Sequence, residues 1–405
     1  MNQPSLMRSP LALAVVLGGG CDLSPSSEYF PLLPDPQTSS LSNALEFDPT
    51  GCSPWGCGTN GAWLGENITF HELKADGTAN DVGVSIESFR DSSGNLLRLK
   101  VDQDRLQGIT TTDGILEGNQ LGHAVLQLKV PDPPVNGFST YCLWIASVGS
   151  TTFWTGQPSN TPYYEFVYQQ LGRNTPYCGS FPTNVPNGLP HLCKPTTEAI
   201  SRSFSGTALV YRGDHFDAIY KTVTQTGESD PRFNVACAGT AIAKMHLLRH
   251  TLAGRGPISL GNTIITNTSV TARQAVLKML TADYCGTGTS FTENGLPLLY
   301  SFYQPSWQNT LKNLTSATPV PWWVTRFPAQ SLDVIWNENG AVCLNIPRLE
   351  ILRPESQYAS KNIRVSIDFE CESKKHMALK PCSLWPGLAA DWGWASLGYA
   401  VSANL

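Results

Sequence analysis

The chain has little charge and no long hydrophobic run, and each shortage excludes a class of protein. Only 15% of its 405 residues are charged, and the formal net charge is -5, whereas nucleic-acid-binding domains are usually basic. The apolar run at residues 11–17 is far shorter than the ~18 residues that a membrane-spanning helix needs, and no later run is long enough. We therefore expect neither a nucleic-acid partner nor a membrane span.

What the chain does contain is typical of a turn-rich protein that favours β structure. It has 35 glycines, 29 prolines and 11 tryptophans, and 41% of its residues are hydrophobic. A chain of this length and hydrophobic content can bury at least one large core. Its composition favours short strands and turns over long helices.

Residues 1–21 resemble a bacterial export signal. Arg8 is the only charged side chain before the apolar run, and three glycines stand directly before Cys21, as in a lipoprotein cleavage site. The pattern predicts that Cys21 is acylated and anchors the protein to a membrane. Leu17 lies four places before Cys21 instead of the usual three, so nearby cleavage without a lipid is the alternative. Residues 22–64, rich in Ser, Pro and Gly, are predicted to form a tether.

The other ten cysteines form an even set, which in an exported chain predicts disulfide bonds. They are Cys52, Cys57, Cys142, Cys178, Cys193, Cys237, Cys285, Cys343, Cys371 and Cys382. Sequence alone leaves the connectivity open. The pairings predicted from nearness and from the ends of two predicted helices are Cys52–Cys57, Cys178–Cys193, Cys237–Cys285, and Cys382 with either Cys371 or Cys343.

Residues 65–200 are predicted to form a β-rich domain, either a sandwich or a barrel. Alternating runs at residues 82–89 and 96–101 flank the loop at residues 91–95, which is typical of a hairpin. Further strands are predicted at residues 123–130, 141–146, 166–168, 207–211 and 362–369.

Residues 201–405 are predicted to form a mixed region around two central helices. In the first helix, Ile242 and Met245 share one face. Asn234 is its predicted N-cap, and it is expected to end near His250.

The second helix is predicted to begin near Thr271, whose spacing to Gln274 is that of a capping box, and to stop before Gly286. Asp283 lies in its last turn, where a carboxylate opposes the helix dipole. We therefore expect Asp283 to accept hydrogen bonds from residues 285–290 and to fold that loop back onto the helix.

The strongest motif lies at this helix end and reads Ala282-Asp283-Tyr284-Cys285-Gly286. Two weaker motifs flank it, namely Ala236-Cys237-Ala238-Gly239 and Gly340-Ala341-Val342-Cys343. As a set they resemble the ADYC domain, a family of bacterial secreted proteins, over residues 65–350. The family often has charged residues after the motif, where this chain has Thr287 and Thr289, so no role of such charges is transferred. The resemblance implies no particular activity.

One cysteine has the position of a reactive group. Cys237, placed before a helix, would be an activated nucleophile with His191, His215 or His376 as its base. No catalytic signature surrounds these histidines, and a structural disulfide is the favoured interpretation.

Two polar groups have the spacing of ligating sites. His246 and His250, four positions apart, would share a metal on a helix, but no third ligand is marked and a solvated basic face is favoured. Asp214, His215 and Asp217 would bind a cation or act as acid and base, although a polar turn is the plainer interpretation.

The sequence thus predicts an α+β protein, with a β-rich N-terminal domain and a disulfide-stapled mixed region. The favoured function is that of an outer-membrane, periplasmic or cell-surface lipoprotein with a structural or binding role towards a protein or glycan, with no catalytic residue, metal or cofactor. A secreted hydrolase with a site near Cys237 and Asp283 is one alternative. Another is a carbohydrate-binding adhesin that uses Trp322, Trp323, Trp385, Trp392 and Trp394.

Overall fold

The computed structural model describes a little over half of the chain. The described residues are 62–64, 68–132, 137–153, 160–171, 177–183, 188–193, 206–253, 258–260, 263–265, 269–291, 298–302, 332–344, 347, 363–381 and 394–398. Within these ranges, no helix combines the length and the apolar character needed to cross a membrane. Eight residues that carry predictions lie outside the described ranges, namely Cys21, Cys52, Cys57, Cys382, Trp322, Trp323, Trp385 and Trp392.

The described ranges contain twenty strands, three α-helices and one 3-10 turn at Gly118–Leu121. In chain order the strands are β1 Ala62–Leu64, β2 Ile68–Phe70, β3 Glu72–Lys74, β4 Ser85–Arg90, β5 Leu96–Asp102, β6 Arg105–Ile109, β7 Ile115–Glu117, β8 Val125–Asp132, β9 Gly137–Thr152, β10 Asn160–Gln170, β11 Thr207–Arg212, β12 His215–Phe216, β13 Val223–Thr224, β14 Arg232–Cys237, β15 Ile258–Leu260, β16 Thr263–Ile265, β17 Leu298–Phe302, β18 Leu332–Asn337, β19 Gly340–Leu344 and β20 Trp394–Gly398. The helices are α1 Ala241–Leu247, α2 Val270–Thr281 and α3 Ile363–Lys375.

Ten of these strands form one large sheet in the order β3-β14-β11-β10-β9-β8-β4-β5-β6-β7. The predicted hairpin is confirmed, since β4 and β5 pair antiparallel with Phe89 opposite Leu97. Strand β11 pairs with β10 on one side and with β14 on the other. A single sheet therefore contains strands from both sides of residue 200.

The alternation that predicted these strands gives the sheet an apolar face. In β5, Leu97, Leu99 and Val101 are buried, while Leu96, Arg98 and Lys100 between them are exposed. Successive side chains of a strand point to opposite faces, so one face joins a core with residues of β4 and β8. Each aliphatic side chain buried in this way stabilises the fold by roughly 1.5–3 kcal/mol.

A second core surrounds the two central helices. It contains Met245 of α1, Val276 and Met279 of α2, and Trp336 of β18. Helix α2 contacts α1, β18 and β19, and β18 and β19 belong to a four-stranded sheet of order β17-β20-β18-β19. The predicted α+β class is confirmed, and β structure dominates it.

The first helix begins later than predicted. Asn234 is not its N-cap, because it lies in β14, where its side-chain amide donates to the carbonyl oxygen of Asp214 over 3.0 Å. The N-cap is Thr240, whose hydroxyl accepts a backbone N–H of the first turn. The helix ends at Leu247, before His250.

The second helix is confirmed, but its N-terminal cap is not the predicted one. Ser269 is the N-cap, and its hydroxyl accepts a backbone N–H of the first turn over 3.1 Å. Gln274 forms no capping box with Thr271, because its side chain accepts from the Val223 N–H and donates to the Lys221 carbonyl oxygen. The Gln274 side-chain amide, which its spacing from Thr271 had assigned to the helix cap, is thus used in tertiary contacts instead.

The strand predicted at residues 362–369 is wrong, because α3 begins there. Ile363, Ile367 and Cys371 are buried, whereas Val365 is exposed. The buried residues are four apart, and this spacing places them on one face of a helix. In so short a window, three aliphatic residues at alternate positions fit both the two-residue period of a strand and the 3.6-residue period of a helix.

Candidate functional site

The ADYC tetrapeptide closes the C-terminal end of α2. Ala282 adopts a left-handed conformation with φ of 49° and ends the helix. The Asp283 side chain is fully buried behind it. The Tyr284 ring stacks on Trp336 with the ring centroids 5.2 Å apart, and Cys285 is in a disulfide. Each of the four residues therefore has a structural role.

Asp283 is the centre of this closure. Its Oδ1 accepts the Thr287 N–H over 3.0 Å, and its Oδ2 accepts the Gly288 N–H over 2.9 Å. The buried Lys278 ammonium donates to the same Oδ2 over 2.5 Å. Burial raises the pKa of Asp283, and the charge of Lys278 offsets only part of that rise. The prediction that this carboxylate folds the following loop back onto the helix is confirmed.

The two glycines of the loop lie against other backbone segments. A Cβ on Gly286, at φ of +67°, would stand 1.8 Å from the Asn339 carbonyl oxygen. A Cβ on Gly288, at φ of +90°, would stand 2.1 Å from the Ile219 carbonyl oxygen. Only glycine combines this backbone geometry with such close approach, so the loop is packed on both sides.

The hydroxyls of this loop connect it to α3. Thr287 and Thr289 each donate to Glu370 Oε1 over 2.7 Å, and Lys374 forms an ion pair with the same oxygen over 2.8 Å. Burial alone would raise the pKa of Glu370. The hydrogen bonds from Lys374 and the two threonines together lower it by more, so the pKa lies below its ordinary value. The charge near this loop is thus supplied by α3.

Three disulfides lie in the described part of the chain, and Cys343 is disulfide-bonded as well. The bonds are Cys142–Cys178, Cys193–Cys237 and Cys285–Cys371. The predicted pairings Cys178–Cys193, Cys237–Cys285 and Cys371–Cys382 are therefore wrong, while Cys52–Cys57 and Cys343–Cys382 stay predictions. Nearness in the chain misled because sheet pairing brings distant segments together.

The disulfides remove the proposed cysteine nucleophile. Cys237 ends β14 and is bonded to Cys193 with a Cα–Cα distance of 5.3 Å, so it provides no thiolate. Of the candidate bases, His191 lies 3.4 Å from Glu165 and His376 is exposed. The hydrolase alternative therefore lacks the cysteine nucleophile that it requires.

His246 and His250 are buried, not solvated, and they share no helix face, because α1 ends between them. The two ring nitrogens of His246 lie 2.9 Å from the Thr251 hydroxyl and 3.2 Å from the Thr161 hydroxyl. The ring stacks on Tyr211 at 4.3 Å. Burial lowers the pKa of His250 to about 3, so this ring is a neutral core group.

The predicted group of Asp214, His215 and Asp217 is dispersed. Asp214 forms a buried bidentate ion pair with Arg273 of α2, with distances of 2.5 and 2.8 Å. Asp217 accepts two backbone N–H groups of the following turn. His215, in contrast, belongs to a cluster of side chains around Glu72 of the edge strand β3.

That cluster is centred on the buried carboxylate of Glu72. Its Oε1 lies 2.7 Å from His215 Nδ1 and 3.2 Å from His71 Nε2, and it accepts the Phe216 N–H over 3.1 Å. Its Oε2 accepts from Arg232 Nη1 over 3.2 Å. Within the described ranges, His71, Glu72 and His215 are the one group of three side chains close enough to share a metal ion.

The charges of the cluster support one another. Burial raises the pKa of Glu72, but the hydrogen bonds from His215 and His71 lower it more, so that it lies well below its ordinary value. The hydrogen bond to Glu72 raises the pKa of His215. A carboxylate that stays ionised while buried between two imidazoles can hold a protonated imidazole or a metal cation beside it.

Sequence inspection missed His71, Glu72 and Arg232. Only the pairing of β3 with β14, in which Glu72 lies opposite Asn234, brings these segments together. The adjacent His71-Glu72 pair in a short strand is a weak local signal, since nothing near it in the chain marks a third ligand.

The protein is thus a disulfide-bonded α+β protein in which β structure dominates. Its disulfides are typical of proteins that fold in an oxidising environment. A protein-family model of the ADYC domain matches residues 118–350, more than half of the chain. The chain therefore belongs to the ADYC domain family, although the match begins later than residue 65, where the resemblance was expected to begin. No curated protein and no solved structure matches it.

Proposed function

We propose that the protein is an exported cell-envelope lipoprotein with a structural or binding role outside the cytoplasm. In this proposal Cys21 carries the lipid, residues 22–64 form the tether, and the two cores form a rigid body that meets a protein or glycan partner. The observation that carries it is the set of three disulfides, because such bonds persist where thiols are not kept reduced.

The arrangement of the ADYC residues supports a non-enzymatic role. A catalytic carboxylate needs an accessible oxygen near the reacting atom. Both oxygens of Asp283 already accept hydrogen bonds from Thr287, Gly288 or Lys278, and the side chain is fully buried. Cys285 and Cys237 are likewise bonded to other cysteines, which is the arrangement of a stabilised scaffold.

Metabolic labelling of the full chain in a bacterial host with palmitate tests the lipid anchor. We expect labelled protein in the membrane fraction, and precursor accumulation when the lipoprotein signal peptidase is inhibited with globomycin. The variant Cys21→Ala should lose both effects, whereas Ser24→Ala, three residues away, should keep them.

Two outcomes would count against the proposal. Unlabelled protein that is cleaved near residue 21 and released would replace the lipoprotein with a plain secreted protein. Protein that stays in the cytoplasm with its cysteines reduced would overturn the export claim altogether.

A further inference from the structure

We propose that His71, Glu72 and His215 bind a divalent transition-metal ion, with zinc as the ion that best fits the donors. The site lies where the edge strand β3 meets β12 and β14. It adds a ligand-binding capacity to the scaffold role proposed above, and it does not depend on the lipid anchor.

The donor atoms of the three side chains already converge. His215 Nδ1 and His71 Nε2 lie 2.7 and 3.2 Å from Glu72 Oε1, and all three atoms are within 4.8 Å of one another. Ligand atoms around a four-coordinate zinc ion, each about 2.1 Å from the metal, lie about 3.4 Å apart. An ion can therefore enter between them with small side-chain shifts.

The chemistry of the donors selects the class of ion. Two imidazole nitrogens and one carboxylate oxygen form a set that zinc uses in sites where a fourth position stays open to water or a substrate. Calcium and magnesium prefer shells of oxygen ligands, so a site with two imidazoles disfavours them.

The neighbouring residues orient these ligands as metal sites require. The second ring nitrogen of His215, Nε2, faces the carboxylate of Asp81, whose Oδ2 lies 3.6 Å away, outside direct hydrogen-bond distance, and a negative charge on that side of a ligating histidine favours this ring orientation. Arg232 donates to Glu72 Oε2, which leaves Oε1 turned towards the two imidazoles.

The site is open enough for an ion to enter. The side chains of His71 and His215 are 16% and 24% exposed, whereas that of Glu72 is 7% exposed. His71 Nε2 also lies within hydrogen-bond distance of the Phe216 carbonyl oxygen. To bind zinc through Nε2, the His71 ring would give up its contact with the Phe216 carbonyl oxygen and pass the Nε2 proton through solvent to Nδ1, so that a neutral imidazole donates the Nε2 lone pair.

Calorimetric titration of the metal-stripped protein with zinc chloride tests the proposal. We expect one zinc ion per chain and no binding of magnesium at the same concentration. His215→Ala should abolish stoichiometric binding, and Asp81→Asn should weaken it by less than the about 10- to 100-fold that loss of a hydrogen-bonded orienting carboxylate costs, because Asp81 Oδ2 lies 3.6 Å from His215 Nε2. His191→Ala is the matched control, because His191 also lies beside a carboxylate, that of Glu165.

X-ray absorption of the zinc-loaded protein gives a second measurement that needs no variant. A shell with two imidazole nitrogens and at least one oxygen supports the site, and a shell with sulfur or a single imidazole overturns it. The proposal also fails if wild-type protein takes up no zinc, or if His215→Ala binds zinc as tightly as wild type does.

Discussion

Two buried carboxylates, Asp283 and Glu72, are each held by a cation and a backbone N–H, yet they organise different parts of the molecule. The partners of Asp283 lie four or five positions away in the chain. The side-chain partners of Glu72 include His215 and Arg232, which are 143 and 160 positions away. One carboxylate therefore completes a local turn, and the other joins distant segments.

The surroundings of a buried carboxylate decide whether it only stabilises the fold or can also bind an ion. All donors to Asp283 belong to the helix end and the loop that it closes, and its side chain is fully buried, so it cannot exchange partners without unfolding the loop. The imidazoles beside Glu72 reach the surface, so they can exchange a proton for an ion. We infer that the ADYC carboxylate stabilises the fold, while Glu72 belongs to a binding site.

The largest effect is expected for Asp283→Asn, which leaves the Lys278 ammonium buried without a carboxylate. Breaking a buried ion pair on one side typically costs about 3–5 kcal/mol, and urea unfolding would measure it. Asp217→Asn is the control, because this partly exposed turn residue uses one oxygen as a hydrogen-bond acceptor that asparagine retains. A loss below about 1 kcal/mol for Asp283→Asn would remove the structural assignment.

The next effect concerns the disulfide that fastens the ADYC loop to α3. Replacing Cys285 and Cys371 together with alanine should cost about 2–4 kcal/mol in unfolding free energy. The Cys142–Cys178 bond spans 36 residues instead of 86, and the chain-entropy estimate makes its removal roughly 0.8 kcal/mol less costly. Equal or reversed losses would show that strain or denatured-state structure outweighs loop length.

The effect that is smallest near neutral pH, and that grows as the pH falls, is a pH dependence in the helical core. The pKa of His250 is lowered to about 3 by burial, against about 6.5 in an unfolded chain. Below about pH 6.5 the unfolded state takes up a proton that the folded state refuses, so stability falls by about 1.4 kcal/mol per pH unit until the pH approaches 3.

The variant His250→Asn should flatten that part of the stability profile, which denaturant unfolding at several pH values measures. His376→Asn, at an exposed position, should leave the slope unchanged. An unchanged slope in His250→Asn would mean that other groups cause the acid sensitivity.

What the sequence predicted well depends on partners close in the chain. The hairpin of β4 and β5, helix α2 and the closure by Asp283 follow from turn residues, from periodicity and from a carboxylate at the unfavourable end of a helix dipole. The strand predicted at residues 362–369 failed because the same aliphatic spacing suits a helix, and the protein packs that helix on the ADYC loop.

The disulfides and the Glu72 cluster depend on contacts that local patterns do not contain. Cys193 reaches Cys237 only after β14 has joined the sheet, and His215 reaches Glu72 only after β12 lies beside β3. No propensity or spacing within a short window encodes such pairings, so these features required the three-dimensional structure.

The most direct test compares the gain in unfolding free energy that zinc gives to Asp283→Asn and to Glu72→Gln. With zinc at 100 times its dissociation constant, a site present only in the folded state adds about 2.7 kcal/mol. Asp283→Asn should lose much of its stability yet keep this gain, whereas Glu72→Gln should lose the gain. The assignment of the two carboxylates is contradicted if Glu72→Gln keeps the full gain or if Asp283→Asn loses it.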